Sequence, residues 1–340
     1  MNKKNILLLS FIIMILFVSC GEKTEKVGKT ENVVPERKYQ IRVGYMPDFS
    51  GTSAVVIAKE KGYFDEEHLN VTLVKFLDGP SEVEEMILKN LEFAYIGHGA
   101  HSLAIEGKVN VLFPNALSRA EQIIVRNSAN IGSVQDLRGK KVGTQLGTSS
   151  EILLYLALQS LGIKTNELNI INMDGNTIVS SMVDTTIDAC SVQAPYTFEI
   201  LNSLGDKVKS IATTVDYSDV GSFPSSWIVT PSFQNNNTDI VNRFSRAILK
   251  AMNYRQLNMS EAVELVADMN GKTVEEVDLE RETGLWLSGD DVKKAYIDGE
   301  VSKWYKTQQN IFIYTKTITN NIDINNYVQI KYMVDNVFNE

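Results

Sequence analysis

Tyr39-Gln-Ile-Arg-Val-Gly-Tyr45 alternates aromatic or β-branched residues with polar or small ones, and this spacing predicts a β-strand. The turn Met46-Pro-Asp-Phe-Ser-Gly51 follows it. Ser53 to Lys61 then predicts a helix with Ala54, Ile57 and Ala58 on one face, stopped by Gly62. Val71-Thr-Leu-Val-Lys-Phe76 predicts a second strand. Ser81 reads as the N-cap of the next helix, with Glu84 in the capping-box position and Val83, Met86 and Ile87 facing a core. Phe93-Ala-Tyr-Ile96 predicts a third strand. Strands alternating with helices imply an α/β fold with largely parallel sheets.

Working toward the C-terminus, Val109-Asn-Val-Leu-Phe113 is a candidate fourth strand, after which the pattern restarts. Gln122-Ile-Ile-Val125, Lys141-Val-Gly-Thr144 and Ile187 to Val192 predict strands. Ser133 caps a short helix over Val134-Gln-Asp-Leu137, and Ser149 to Leu161 predicts a longer helix with Ile152, Leu153, Leu156 and Leu161 on its apolar face. Trp227-Ile-Val-Thr230 predicts a short returning strand. From Thr238 onward the chain reads as helical, with Val241, Phe244, Ile248 and Ala251 in one stripe and Ser260 and Thr273 as N-caps. Two βα units and a helical tail suggest two lobes with a cleft between them.

Toward the N-terminus, Lys3 and Lys4 precede an apolar run from Ile6 to Val18. The run is too short for a membrane span of roughly 20 residues and reads as the core of a secretory signal over residues 1–19. Phe17-Val-Ser-Cys20 resembles a bacterial lipobox, with Phe17 where leucine is usual, and this makes Cys20 the expected lipidation site. Residues 20–38 show no period and read as a flexible tether with a span of roughly 20–25 Å. The formal charge of −9 argues against a basic nucleic-acid surface and against attraction to anionic headgroups, so membrane attachment is expected through the lipid. With Cys20 acylated, Cys190 is the remaining thiol, and its apolar surroundings predict an inert buried side chain.

Ligands of parallel α/β sheets lie beyond the carboxyl ends of the strands. Four loops sit there: Met46 to Ser53, Gly97-His-Gly-Ala-His101, Gln145 to Ser150, and Gln193-Ala-Pro-Tyr196. In the third, Thr148-x-x-Glu151 reads as a capping box, leaving Ser149 and Ser150 in a first turn whose free N–H groups suit an anion; an ordinary capped helix is the other reading. No Gly-Lys-Ser/Thr follows the glycines, which excludes a nucleotide P-loop. His98 and His101 invite a metal, yet no third ligand can be nominated, so no metal site is assigned and they read as pocket-lining imidazoles or plain surface. Asp48 either pairs with an amine, bonds an amide or is solvated. Tyr196 either stacks on a planar ligand or packs in the core. Ser149, His98 and Asp48 can be drawn as a triad, but no Gly-x-Ser-x-Gly surrounds any serine, which speaks against hydrolysis.

Several of these segments carry a family resemblance. Ile41-Arg-Val-Gly-Tyr45, Ala58-Lys-Glu-Lys-Gly-Tyr-Phe64, Phe93-Ala-Tyr-Ile-Gly97, Val134 to Gly143, Gly147-Thr-Ser-Ser150, Ile187-Asp-Ala-Cys190 and Pro195-Tyr196 occur in one order. The set resembles the aliphatic sulfonate/taurine/nitrate and thiamine-precursor class of ABC-transporter substrate-binding proteins. The resemblance implies a two-lobed type II periplasmic-binding-protein fold, with two crossing strands and hinge closure on a ligand. It places the crossings near Gln122–Arg126 and Ser226–Thr230, giving one lobe of 39–124 plus 229–340 and another of 125–228. By position it nominates Met46, Asp48, Gly97, His98, Thr148, Ser149, Ser150, Pro195, Tyr196, Ser225 and Ser226 as ligand contacts. Many sulfonate binders carry an acidic residue where His98 stands and Trp-Asp where Gln193-Ala194 stand, so this pocket is expected to be less acidic there.

The resulting expectation is a monomeric, lipid-anchored receptor on the outer face of the cytoplasmic membrane. It would capture a small organic solute, a sulfonate-like anion first, and hand it to an ABC permease. No cofactor, nucleic acid or catalysis is implied. A heteroaromatic vitamin precursor stacked on Tyr196, a lyase or dehydratase on the same fold, and an exported sensor without a permease are the alternatives.

Overall fold

The computed structural model describes residues 38–217 and 222–339; the signal segment, Cys20 and the tether as far as residue 37 lie outside the described residues. The chain opens with β1 (Tyr39–Tyr45), α1 (Phe49–Glu60), α2 (Tyr63–Glu66), β2 (Leu69–Lys75), α3 (Gly79–Ile87), β3 (Phe93–Ile96), α4 (His101–Ile105) and β4 (Asn110–Ser118). It continues with β5 (Gln122–Arg126), β6 (Lys141–Thr144), α5 (Ser149–Ser160), β7 (Asn169–Asn172), α6 (Gly175–Val183), β8 (Ala189–Val192), α7 (Tyr196–Leu204) and β9 (Val208–Thr213). It ends with β10 (Pro224–Val229), α8 (Pro231–Asn236), α9 (Thr238–Leu257), α10 (Met259–Asn270), α11 (Val274–Arg281), β11 (Gly284–Trp286), α12 (Gly289–Ile297), α13 (Glu300–Tyr314) and α14 (Ile330–Met333). No helix among the described residues is long and apolar enough to cross a membrane.

Two sheets result, the first in the order β11-β4-β10-β3-β1-β2 and the second in the order β7-β6-β8-β5-β9. In the first, β1 is parallel to β2 and β3, while β10 is antiparallel to β3 and β4. In the second, β6 is parallel to β7 and β8, while β5 is antiparallel to β8 and β9. Each sheet is thus a parallel core with an antiparallel strand inserted beside it, the two-lobed arrangement the family resemblance implies. The strands expected to cross do not themselves span the lobes: β5 belongs wholly to the second sheet and β10 wholly to the first. The chain changes sheet at 119–121 and again between Tyr217 and Pro224.

Local chemistry sets the helix starts. Asp48 caps α1 through a 2.7 Å bond from the Gly51 N–H, and Asp78 caps α3 through a 2.8 Å bond from the Ser81 N–H. Ser81, expected as the cap, therefore lies inside the helix; Pro80 occupies the first turn, where a missing N–H is harmless. Asn258 rather than Ser260 caps α10, whereas Thr273 and Glu276 form the expected reciprocal box on α11.

Packing then fixes the lobes. The stripe Val241, Phe244, Ile248 and Ala251 of α9 is buried, and the Phe244 ring stacks on Phe93 at 3.9 Å between centroids. Arg255, on the same helix, is fully buried and donates to Ser53 Oγ, Asn115 Oδ1, Asn115 O and Leu287 O at 2.9–3.1 Å. It ties α9 to α1, β4 and the entry to α12. Between the sheets, α13 lies against β10 on one side and α5 on the other. Ile152 and Leu156 of α5 meet Ile311 and Phe312 of α13 in a buried apolar cluster that also takes in Phe223.

Candidate functional site

The carboxyl ends of β1, β2, β3, β6 and β8 turn their loops toward one cleft between the two sheets. It encloses about 930 Å³ of atom-free space, counting the part open to solvent. Of the eleven nominated contacts, Met46, Asp48, Gly97, His98, Thr148, Ser149, Pro195, Tyr196 and Ser225 line it. Ser150 and Ser226 do not. The Ser150 hydroxyl is buried and donates to Gln193 Oε1. Ser226 is buried between His101 Nε2, at 2.8 Å, and the Tyr305 hydroxyl, at 2.5 Å.

The loop after β1 is drawn tight by Gly51, where a Cβ would stand 2.7 Å from both the Met46 nitrogen and oxygen. Thr52 Oγ1 donates to Met46 O at 2.9 Å and holds the same turn. The Phe49 N–H donates to Glu280 Oε2 at 2.9 Å, and Lys272 bridges Glu280 Oε1, at 2.6 Å, and Pro47 O, at 2.7 Å. The helical tail thereby props the first loop. Burial pushes the Asp48 carboxyl up to about 6 and the Glu280 carboxyl up to about 7.

The loop after β3 comes within touching distance of the second lobe. A Cβ on Gly99 would stand 2.2 Å from the Thr148 carbonyl carbon, so only glycine admits this approach. His98 is buried beside Phe223 and Phe312, with ring centroids at 4.3 and 5.0 Å. The Gln308 amide nitrogen lies 3.0 Å from its Nδ1; with that amide donating, the proton sits on Nε2, which has no partner. Burial holds the imidazoles of His98 and His101 well below the usual range, His101 at about 4, so both are neutral at pH 7. Among the described residues no group of three His, Cys, Asp or Glu side chains is placed to hold a metal ion.

The helix start read as an anion seat is built differently from the expected box. Thr148 Oγ1 turns back to donate to Gln145 O at 2.7 Å, and the Glu151 carboxylate accepts from the Gly147 N–H at 2.7 Å. The Glu151 carboxylate thus bonds the residue ahead of the cap rather than the first-turn N–H groups, and among the described residues Ser149 alone of the three hydroxyl residues has no hydrogen bond through its hydroxyl. Facing it, Tyr196 lies over Gly175, where a Cβ would stand 2.1 Å from the ring.

Four lining segments went unnominated in the sequence. Asp78 stands after β2 and accepts a 2.9 Å bond from the Gln145 amide of the opposite lobe. Glu121, at the first change of sheet, accepts from Ser118 Oγ at 3.0 Å and from Thr214 Oγ1 at 2.8 Å. Glu280 and Trp286 come from the tail. The strand-end rule that selected the other loops also covers Asp78. Glu121, Glu280 and Trp286 follow no local signal, since only the tertiary fold brings them here.

Comparison with known proteins places this geometry. The family model described as NMT1/THI5 like matches residues 50–262. A candidate binding protein of Brucella abortus is 30% identical over 292 residues, covering 86% of this chain and 91% of that one. A candidate aliphatic sulfonates-binding protein of Bacillus subtilis is 27% identical over 311 residues, covering 88% and 86%. Among solved structures, the alkanesulfonate-binding protein SsuA of Xanthomonas axonopodis pv. citri bound to MOPS superposes with a TM-score of 0.64 at 17% identity, over 86% of this chain and 99% of that one. The desulfurization enzyme DSZB superposes with a TM-score of 0.61 at 12% identity, over 88% and 99%. These two structural likenesses show the fold alone.

Proposed function

The chain belongs to the NMT1/THI5-like family, and on that premise we propose that it is the extracytoplasmic solute-binding component of an ABC importer. It closes two lobes, 39–118 plus 224–340 and 122–217, on one small organic solute and releases it unchanged to a permease. The observation that carries this reading is the single cleft walled by strand-end loops from both sheets, with contacts already spanning it at Asp78–Gln145 and Gly99–Thr148. Ligand contacts made to both lobes at once stabilise the closed state, which is the shape a permease can read. The ligand residues are the nine nominated side chains and loops that line the cleft, joined by Asp78, Glu121, Glu280 and Trp286.

The chemistry of the lining supports capture rather than turnover. The Ser–His contact that exists, Ser226–His101, is fully buried away from the cleft. The Cys190 thiol is buried in the second sheet and pushed up to about 12, far from a reactive thiolate. The kinship with the sulfonates-binding relative supports an importer of small organic solutes. The signal-like segment and Cys20 add a lipid anchor on the outer face of the cytoplasmic membrane, with the chain acting as a monomer.

Mass spectrometry of the solute released from the purified protein tests the reading: the same compound is expected to be recovered unaltered after prolonged incubation. Accumulation of a product would make the protein an enzyme. Cys20→Ala is expected to release the chain from membranes and abolish palmitate labelling; label retained in the variant would contradict the anchor.

A further inference from the structure

The cleft is short of positive charge. Asp48, Asp78, Glu121 and Glu280 reach its wall from four separate segments, and no lysine or arginine is among the residues that line it. Glu280 is matched by Lys272 behind the wall. Asp48, Asp78 and Glu121 form no ion pair among the described residues; they are held by the Gly51 N–H, by the Ser81 N–H and Gln145 amide, and by two hydroxyls. Arg119, two residues before Glu121, is exposed and does not line the cleft. Burial raises the Tyr196 phenol to about 12, and Asp48 and Asp78 lie within electrostatic range of it and add to the rise. At the start of α5 the Glu151 carboxylate accepts from the Gly147 N–H and adds a further negative charge beside the cleft.

Resting on the solute-binding reading above and narrowing its ligand class, we infer that the natural solute carries a protonated nitrogen. That nitrogen sits between Asp48 and Asp78, with the faces of Tyr196 and Trp286 about its carbon body. Opposite charge completes the unpaired carboxylates, and aromatic faces attract cations in a water-poor site. A solute whose only polar group is a sulfonate or carboxylate meets two like charges and is rejected. A solute bearing both an ammonium and an acidic group remains compatible, its acidic end pointing toward Ser149 or the mouth.

Benzylammonium and benzenesulfonate share a ring and differ in the sign of charge, so they form the test pair. Isothermal titration calorimetry on the purified full chain is expected to give benzylammonium at least tenfold tighter binding than benzenesulfonate. Asp48→Asn and Asp78→Asn keep their helix caps, since Asn caps as well as Asp. Each is expected to weaken benzylammonium about tenfold or more and to leave benzenesulfonate no weaker. Equal or tighter binding of benzenesulfonate, no binding of benzylammonium, or indifference of both variants would overturn the inference. Benzenesulfonate that binds and draws the lobes together in solution scattering would remove the cation while leaving solute capture standing. A benzylammonium chemically altered by the protein would remove solute capture itself.

Discussion

Asp48 shows how one side chain serves both the fold and the cleft. It caps α1, yet burial raises its carboxyl to about 6, against the pull of the Gly51 and Ser50 N–H groups and of Lys272. Glu280, Glu82, Asp78, Tyr95 and Tyr196 are the other titratable groups about it, and Glu82 is fully buried with neither oxygen bonded. A folded-state pKa above the unfolded value of about 4 means that the native chain holds this proton more tightly. The associated stability is therefore present below pH ~4 and is lost as the pH rises through about 6. A shift of that size is worth at most roughly 3 kcal/mol, less for a partly exposed group. Asp48→Asn is accordingly expected to be about 1–2 kcal/mol more stable than the parent at pH 7.5 and equal to it at pH 4, measured by urea unfolding. Lower stability at pH 7.5 would refute the account of Asp48 as a strained anion. The same titration predicts that benzylammonium affinity rises between pH 5 and 7 with release of a proton, readable as calorimetric heats that change with the buffer's ionisation enthalpy. Asp48 was legible in the sequence as a loop carboxylate that pairs with an amine, bonds an amide or is solvated, while its lack of an ion pair became visible only in three dimensions.

At the level of elements, the loop after β3 and the start of α5 set how closely the lobes approach. Gly99→Ala would drive a methyl into the Thr148 carbonyl. It is expected to leave unfolding free energy within about 1 kcal/mol of the parent, because each lobe keeps its own core, but to weaken solute binding at least tenfold. Unchanged affinity, measured by calorimetry, would show that the two loops need not touch. The strands that position these loops were readable from their runs of apolar, aromatic and β-branched residues: β1, β3 and β6 have the boundaries expected from their residues. β7, β9 and β11 escaped, being mixed in burial. β4 runs on through Pro114 to Ser118, where the pairing with β10 shifts register and tolerates the proline. α6 and α7 were not read from the sequence, although each has a buried face, Ile178 and Met182 in one and Ile200 and Leu204 in the other, packed mainly on neighbouring elements of the chain. The capping box at Thr148 failed because its two side chains found nearer partners in Gln145 and Gly147.

For the molecule as a whole, the architecture is two sheets that share a cleft, with α13 packed against β10 of the first and α5 beside the second, and the chain passing twice between the sheets. Such a frame has one soft coordinate, the opening between lobes, and little else that a solute could change. The contacts across the mouth mark a closed arrangement, held by a single amide–carboxylate bond and the Gly99 approach. Bonds of this kind are worth only about 1–3 kcal/mol each, so a solute touching both walls decides the balance. The two-lobed plan was legible from the restart of the βα pattern, and the position of the crossings was not, because β5 and β10, the strands expected to cross, each pair within one sheet. Small-angle X-ray scattering of the full chain, with and without benzylammonium at saturation, tests the clamshell directly. The account predicts a more extended particle without solute and, with it, a scattering curve that matches the closed lobes described here; a curve that does not change although calorimetry shows the site filled would contradict it.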